Sequence, residues 1–186
     1  MKKFKFILWP NNEQKKLIDM NIEACIIAYN WAINTNNAER GSTGKILQRN
    51  KMAYKVARLK DLPEFWTFNN CSSQAINNSI HELYLKYNDY FQSHDANKLP
   101  AKRELDAEEV HMGYPSGKVI LHLAEMMIYL PKIGWVNLKE SYQDVSDEIQ
   151  RKYHVGYTKI TRKDDVYTAE ITVSSYYSNL EGSDFL

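Results

Sequence analysis

Lys51, Lys55 and Arg58 recur at i, i+4 and i+7, a spacing that keeps three cations on one face of a helix. Met52, Val56 and Leu59 repeat beside them with a similar period, an apolar stripe able to seat that helix on a core. Lys45 and Arg49 lie just upstream, and no acid intervenes before Asp61. A ridge of cations without local counter-charge suits phosphate, whose neutralisation supplies most nucleic-acid affinity. The plainer alternative is a solvated helix face.

Other chemistries find little support. Two-metal hydrolysis needs carboxylates converging on a strand-rich core. The acids here crowd polar turns instead: Asp106, Glu108 and Glu109; Asp144, Asp147 and Glu148; Asp164 and Asp165. His81, His94, His111, His122 and His154 are scattered, and none pairs at H-x-x-x-H. Ser72-Ser73 lacks a G-x-S-x-G context, and neither phosphate-loop nor dinucleotide fingerprint occurs. Cys25 and Cys71 are isolated thiols outside any C-x-x-C pair, read as buried and free, with no disulfide and no zinc. The residues therefore give no catalytic constellation, no metal site and no cofactor, and the chain reads as a non-enzyme.

These residues need elements to hold them. Residues 3–9 alternate weakly and stop at Pro10, which predicts a strand. Asn11 with Gln14 has capping-box spacing, and Leu17, Met20, Ala24, Ile27 and Trp31 continue with helical period. A helix over about 12–35 follows, broken by Asn36-Asn37 and by Gly41-Ser42-Thr43-Gly44. A second helix covers about 45–60. Ser72 or Ser73 caps a third over about 73–93, with Ile76, Ile80, Leu83, Tyr87 and Phe91 on one face. Residues 94–118 read as a polar loop. Short strands then follow at Val119–Leu123, Met127–Leu130 and Trp135–Leu138. A hairpin closes the pattern, Gly156–Thr161 and Val166–Ser174 around Lys163-Asp164-Asp165. The N-terminal strand must pair with strands after residue 118. The fold class expected is α+β, a small β-barrel interrupted by a helical insertion.

The chain has 186 residues with a net charge of +1, which suits one ordinary domain or a small core with an insertion. Residues 1–60 hold 12 Lys/Arg against 4 Asp/Glu, a net of +8. Residues 61–118 are net −4 and residues 119–186 net −3. The first third is therefore the part suited to a polyanion. No apolar run approaches the roughly 18 to 20 residues of a membrane helix, and the N-terminal apolar run is too short for a signal peptide. A cytoplasmic protein without a membrane partner is expected.

Several segments, read in order, resemble TnpB, the transposon-encoded RNA-guided nuclease family related to type V CRISPR effectors. They are Phe6-Ile7-Leu8-Trp9-Pro10 with Glu13-Gln14 and Leu17; Ala24-Cys25 and Tyr29-Asn30-Trp31-Ala32; and Ser73-Gln74-Ala75-Ile76, Leu83 and Tyr87-Asn88-Asp89-Tyr90-Phe91. Gly113-Tyr114-Pro115 with Lys118, then Leu130-Pro131-Lys132-Ile133-Gly134-Trp135-Val136 and the final hairpin, complete the set. The resemblance covers about residues 4–175 and matches the N-terminal half of the family. It implies a wedge-type (WED) barrel from 1–10 and 119–175, a recognition (REC) insertion from 11–118 and a tail at 176–186. The family's RuvC nuclease domain comes after this region. The resemblance adds Tyr29, Asn30, Tyr114 and Lys118 to Lys45, Arg49, Lys51, Lys55 and Arg58 as nucleic-acid-binding residues. Two departures remove cations: Ile26 follows Ala24-Cys25 where the family has Arg, and Ser116-Gly117 replaces Arg-Phe after Pro115.

The resulting expectation is a RuvC-lacking, TnpB-like regulator that binds structured, guide-type or scaffold-type RNA, with target DNA as a further partner. One alternative is a phage or mobile-element inhibitor of the anti-CRISPR kind, which binds an RNA-guided nuclease or its guide RNA. Another is a split or decaying half that needs a RuvC-like partner chain. The apolar surface that RuvC would cover favours a homo-oligomer or another partner.

Overall fold

The computed structural model describes residues 2–139 and 153–175. The chain opens with strand β1 (Lys2–Trp9), ended by Pro10, and enters helix α1 (Asn12–Thr43) through the capping box predicted from the sequence. The Gln14 backbone N–H donates to Asn11 Oδ1 at 2.9 Å, and the Asn11 N–H donates to Gln14 Oε1 at 3.0 Å. Helix α2 (Arg49–Leu59) follows, then a 3-10 segment at Pro63–Asn70, and then α3 (Ser73–Ser93), with the Ser72 hydroxyl accepting from the Ala75 N–H.

Helix α1 runs past the predicted break. Asn36, Asn37 and Gly41 are all helical, and the helix ends at Gly44, whose φ of +74° is the left-handed conformation that a glycine supplies cheaply. Its 32 residues span about 48 Å at the helical rise. Asn36 survives inside the helix because its side chain bonds another segment instead of its own backbone (Oδ1 accepts the Leu47 N–H at 3.1 Å). The predicted stripe of Leu17, Met20, Ala24, Ile27 and Trp31 is one flank of a wider buried surface. Ala24 of that stripe is buried with Ile18, Ile22, Cys25, Ile26, Tyr29 and Ile33, while Leu17, Met20, Ile27 and Trp31 are half-buried, since the sheet and the other helices cover α1 from two sides.

The strands are β2 (Glu109–Tyr114), β3 (Ile120–His122), β4 (Met127–Leu130), β5 (Gly134–Leu138), β6 (Tyr153–Lys163) and β7 (Val166–Ser175). They form one antiparallel sheet in the order β2-β6-β7-β1-β5-β4-β3. As expected, β1 pairs with late strands, with β7 along Lys2–Leu8 and with β5 at Leu8 and Trp9. Two expectations need correction. The described strands make an open sheet, because β2 and β3 stand at opposite ends and no pairing joins them. The pairing of β1 with β5 extends over so few residues that β3, β4 and β5 hang from one end of the larger ladder. Strand β2 also lies within the segment read as a loop. Val110, Met112 and Tyr114 alternate into the core there, a period-2 signal obscured by Gly113 and the preceding acids.

The core lies between the inner sheet face and the helices: Phe6, Leu8, Ile128, Val136, Ile160 and Ile171 against Ile18, Ile22, Ile80 and Leu83. Cys25 and Cys71 are free and buried, as expected from their isolation. Burial pushes the Cys71 thiol up to about 11 and the Cys25 thiol higher still, so both stay protonated and unreactive. No helix among the described residues is long and apolar enough to cross a membrane.

Candidate nucleic-acid interface

Helix α2 separates its two stripes as the spacing requires. Met52, Val56 and Leu59 are buried, at 0%, 1% and 3% exposure, while Lys51, Lys55 and Arg58 face solvent. Tyr54, at 67% exposed, shares the outer face at i+3 from Lys51 and four residues before Arg58. An aromatic ring among cations is a common feature of nucleic-acid surfaces, since it stacks on bases while the cations meet phosphates. The sequence reading missed Tyr54, although its i, i+3 offset was visible. Arg58 is engaged by Asp61, Nε to Oδ2 at 2.7 Å, so Lys51 and Lys55 are the freer charges.

The position of α2 is fixed by its neighbours. Tyr84 on α3 donates its hydroxyl to the Leu47 carbonyl at 2.6 Å, while Asn36 on α1 takes the Leu47 N–H. The residue ahead of the helix is thus held at both backbone polar groups. Lys45 and Arg49 are exposed at this end. Arg49 Nη1 lies 3.2 Å from His81 Nδ1, and Nη2 donates to Asn50 Oδ1 at 3.3 Å.

Between α2 and α3 opens a cleft of about 500 Å³, lined by Arg49, Asn50 and Ala53, by Gln74, Asn77, Asn78, Ile80 and His81, and by Pro115 after β2. Its walls are rich in side-chain amides, which can donate and accept on the edge of a base. Gln74 Oε1 is buried, and among the described residues it has no hydrogen-bond partner. The wall was also missed, because its residues come from three separated stretches of chain.

Tyr29, Asn30 and Tyr114 lie apart from this surface. Tyr114 is fully buried, and its hydroxyl donates to the Pro131 carbonyl at 3.3 Å. Tyr29 is fully buried under Arg103, whose guanidinium carbon stands 3.9 Å from the ring centroid. Burial pushes the Tyr29 phenol up, and the Arg103 charge opposes the shift. Asn30 exchanges two 2.8 Å hydrogen bonds with the Arg103 backbone. Any contribution of these residues to a ligand therefore passes through Arg103 or the core. Lys118 is exposed on the turn before β3, and Pro115 of the same corner lines the cleft.

Arg103 leads to a second unpredicted feature. Its Nη2 donates to Glu82 Oε2 at 2.6 Å, with side-chain exposures of 14% and 17%. Glu82 Oε1 accepts from Tyr157 Oη and Asn78 Nδ2, each at 2.8 Å, and His111 Nε2 lies 3.5 Å from Oε2. Burial alone would raise the Glu82 carboxyl, but bonds from His111, Arg103 and Tyr157 together with the Arg103 charge bring it down to about 2. The cluster ties α3 to β2 and β6. No three His, Cys, Asp or Glu side chains among the described residues could hold a metal ion. The acids at Asp144, Asp147 and Glu148 and the tail at 176–186 lie outside the described residues.

A family model described as a helix-turn-helix domain matches residues 1–45. Here the described part of that match, residues 2–45, folds as β1 and the single uninterrupted helix α1, followed by its cap, without the two helices and short turn of that motif. A protein of Escherichia coli (strain K12), carrying the name of a candidate RNA-guided DNA endonuclease, InsQ, is 28% identical over 140 residues. The match covers 75% of this chain and 34% of that protein, so the chain spans about a third of its curated relative's length. Both matches bear out the resemblance to the N-terminal part of TnpB-type proteins.

Proposed function

We propose, from this likeness to the N-terminal part of TnpB-type proteins, that the chain binds structured RNA of the guide or scaffold kind through the outer face of α2. Target DNA is its second nucleic acid, read at the cleft between α2 and α3. On this reading the chain acts in the cytoplasm as a regulator that does not itself cut. The observation that carries the reading is the α2 face, where Lys51, Tyr54, Lys55 and Arg58 stand outward on a helix anchored by Met52, Val56 and Leu59. The departures from the family support a grip concentrated there. Ile26 is buried in the core where the family has a cation, and Ser116-Gly117 leaves Lys118 as the cation of the Pro115 corner.

The test is binding of RNA that co-purifies with the chain, measured across a salt series with wild type and the K51A/K55A/R58A variant. Each phosphate contact contributes about 0.7 to 0.9 to the slope of log affinity against log salt. The variant should flatten that slope by about 2 and weaken binding roughly tenfold or more at physiological salt. Arg58→Ala alone should do less than Lys51→Ala, because Asp61 already occupies Arg58. An unchanged slope in the triple variant would refute the α2 assignment. Cleavage of guide-matched DNA by this chain alone with magnesium would refute a regulator that does not cut. Recovery of a nuclease with no RNA would favour the inhibitor reading.

A further inference from the structure

The sheet face turned away from the helices carries a concentration of rings. In β4, β5 and the end of β1, Leu8, Ile128, Leu130, Val136 and Leu138 alternate inward and are buried. Their neighbours turn outward in register: Trp9 opposite Asn137, Asn137 opposite Met127, and Met127 opposite His122 form one row across four strands. Trp135 opposite Tyr129, and Tyr129 opposite Ile120, form the next. Trp9 is 60% exposed and Trp135 41%. The Trp135 ring lies 5.5 Å from that of Tyr129 and 6.0 Å from that of His122, edge to face in both pairs. Lys139 Nζ stands 5.5 Å from the Trp9 centroid.

We infer that this face is a stacking surface for an unpaired stretch of RNA, separate from the α2 ridge. Its chemistry matches that occupant better than an apolar protein segment. Rings, an imidazole, an amide and an ammonium are interleaved, and Ile120 is the one strongly exposed aliphatic side chain in the two rows. Bases splayed from RNA loops are held by stacking on aromatic side chains across a sheet, with cations on the backbone. Glu125, 3.3 Å from His122, bounds the surface with negative charge and leaves Lys139 as the cation beside the rings. The choice of RNA over DNA rests on the function proposed above, whereas the face itself is an independent observation.

The chain has four tryptophans, at 9, 31, 66 and 135. A W31F/W66F variant keeps the two on this face as its fluorophores. Titration with oligouridylate should quench it saturably, an RNA duplex should not, and oligothymidylate of equal length should quench more weakly. Adding Trp135→Ala should weaken oligouridylate binding roughly tenfold to a hundredfold. Adding K51A/K55A/R58A should leave the quenching in place, so that failure of the α2 assignment and failure of this one give different results. Absent quenching, stronger quenching by oligothymidylate, or loss of quenching in the lysine variant would overturn the proposal. So would self-association that W9A/W135A abolishes, since that would assign the face to a second copy of the chain.

Discussion

Replacing Glu82 with Ala should destabilise the fold by about 3–5 kcal/mol, the range for stranding one member of a buried ion pair. Arg103 would keep its charge with little water to solvate it, and Tyr157 and Asn78 would lose their shared acceptor. For a chain of this size the melting temperature should drop by about 10 °C. The conservative Glu82→Gln keeps an acceptor and removes the charge, and its diagnostic is pH. The Glu82 carboxyl sits at about 2 when folded, against an ordinary value of 4.5. A carboxyl lowered by folding adds stability that is fully present above the unfolded value and is lost as pH falls through the folded one. Wild type should therefore lose about 3 kcal/mol between roughly pH 4.5 and pH 2 that Glu82→Gln never had. Chemical denaturation at several pH values reads the difference directly. Parallel acid limbs in the two proteins would exclude the carboxylate as the organising charge. Gly113→Ala probes the same cluster sterically, since its Cβ would come within 2.4 Å of Tyr157 Oη and 2.5 Å of Asn78 Nδ2.

Asn36→Ala combined with Tyr84→Phe should cost about 2–4 kcal/mol, because it releases both backbone groups of Leu47. Its particular signature is a coupled loss. Leu47 leads into α2, so RNA affinity should fall with stability although neither substituted residue is a cation. Lys51→Ala, on an exposed position, should weaken RNA binding and leave the melting temperature nearly unchanged. Measuring affinity and melting temperature for both variants separates a scaffold effect from a contact effect. If the double variant melts lower and binds RNA unchanged, the Leu47 clasp does not set the position of the ridge.

Asn36 also shows what the sequence made legible. Local patterns were readable: the capping box at Asn11 and Gln14, the α2 stripes, the bounds of α3 and the final hairpin all depend on residues a few positions apart. Asn36 looked like a helix breaker because its propensity is read locally, whereas its role depends on Leu47. Asn21, which accepts the Ser72 N–H at 2.7 Å, and Asn30, which binds the Arg103 backbone, behave alike, so α1 holds each later helical connection by an asparagine. The Glu82 cluster joins residues from α3, the segment after it and two strands, and no spacing rule connects them. The cleft and the aromatic face were hidden for the same reason. Sheet closure also escaped the sequence, because short alternating strands look the same in a barrel and in an open sheet.

The place of β1 in the sheet has a consequence during synthesis. This strand leaves the ribosome well ahead of its longest partner, β7, which begins only at Val166. At about 5–20 residues per second the gap lasts roughly 8 to 30 seconds. All three long helices can form and pack in that interval, while β1 waits with both hydrogen-bonding edges open, a state prone to pairing with other chains. Lys3 and Lys5, charged and outward-facing on that strand, are placed to discourage such pairing until the last hairpin arrives.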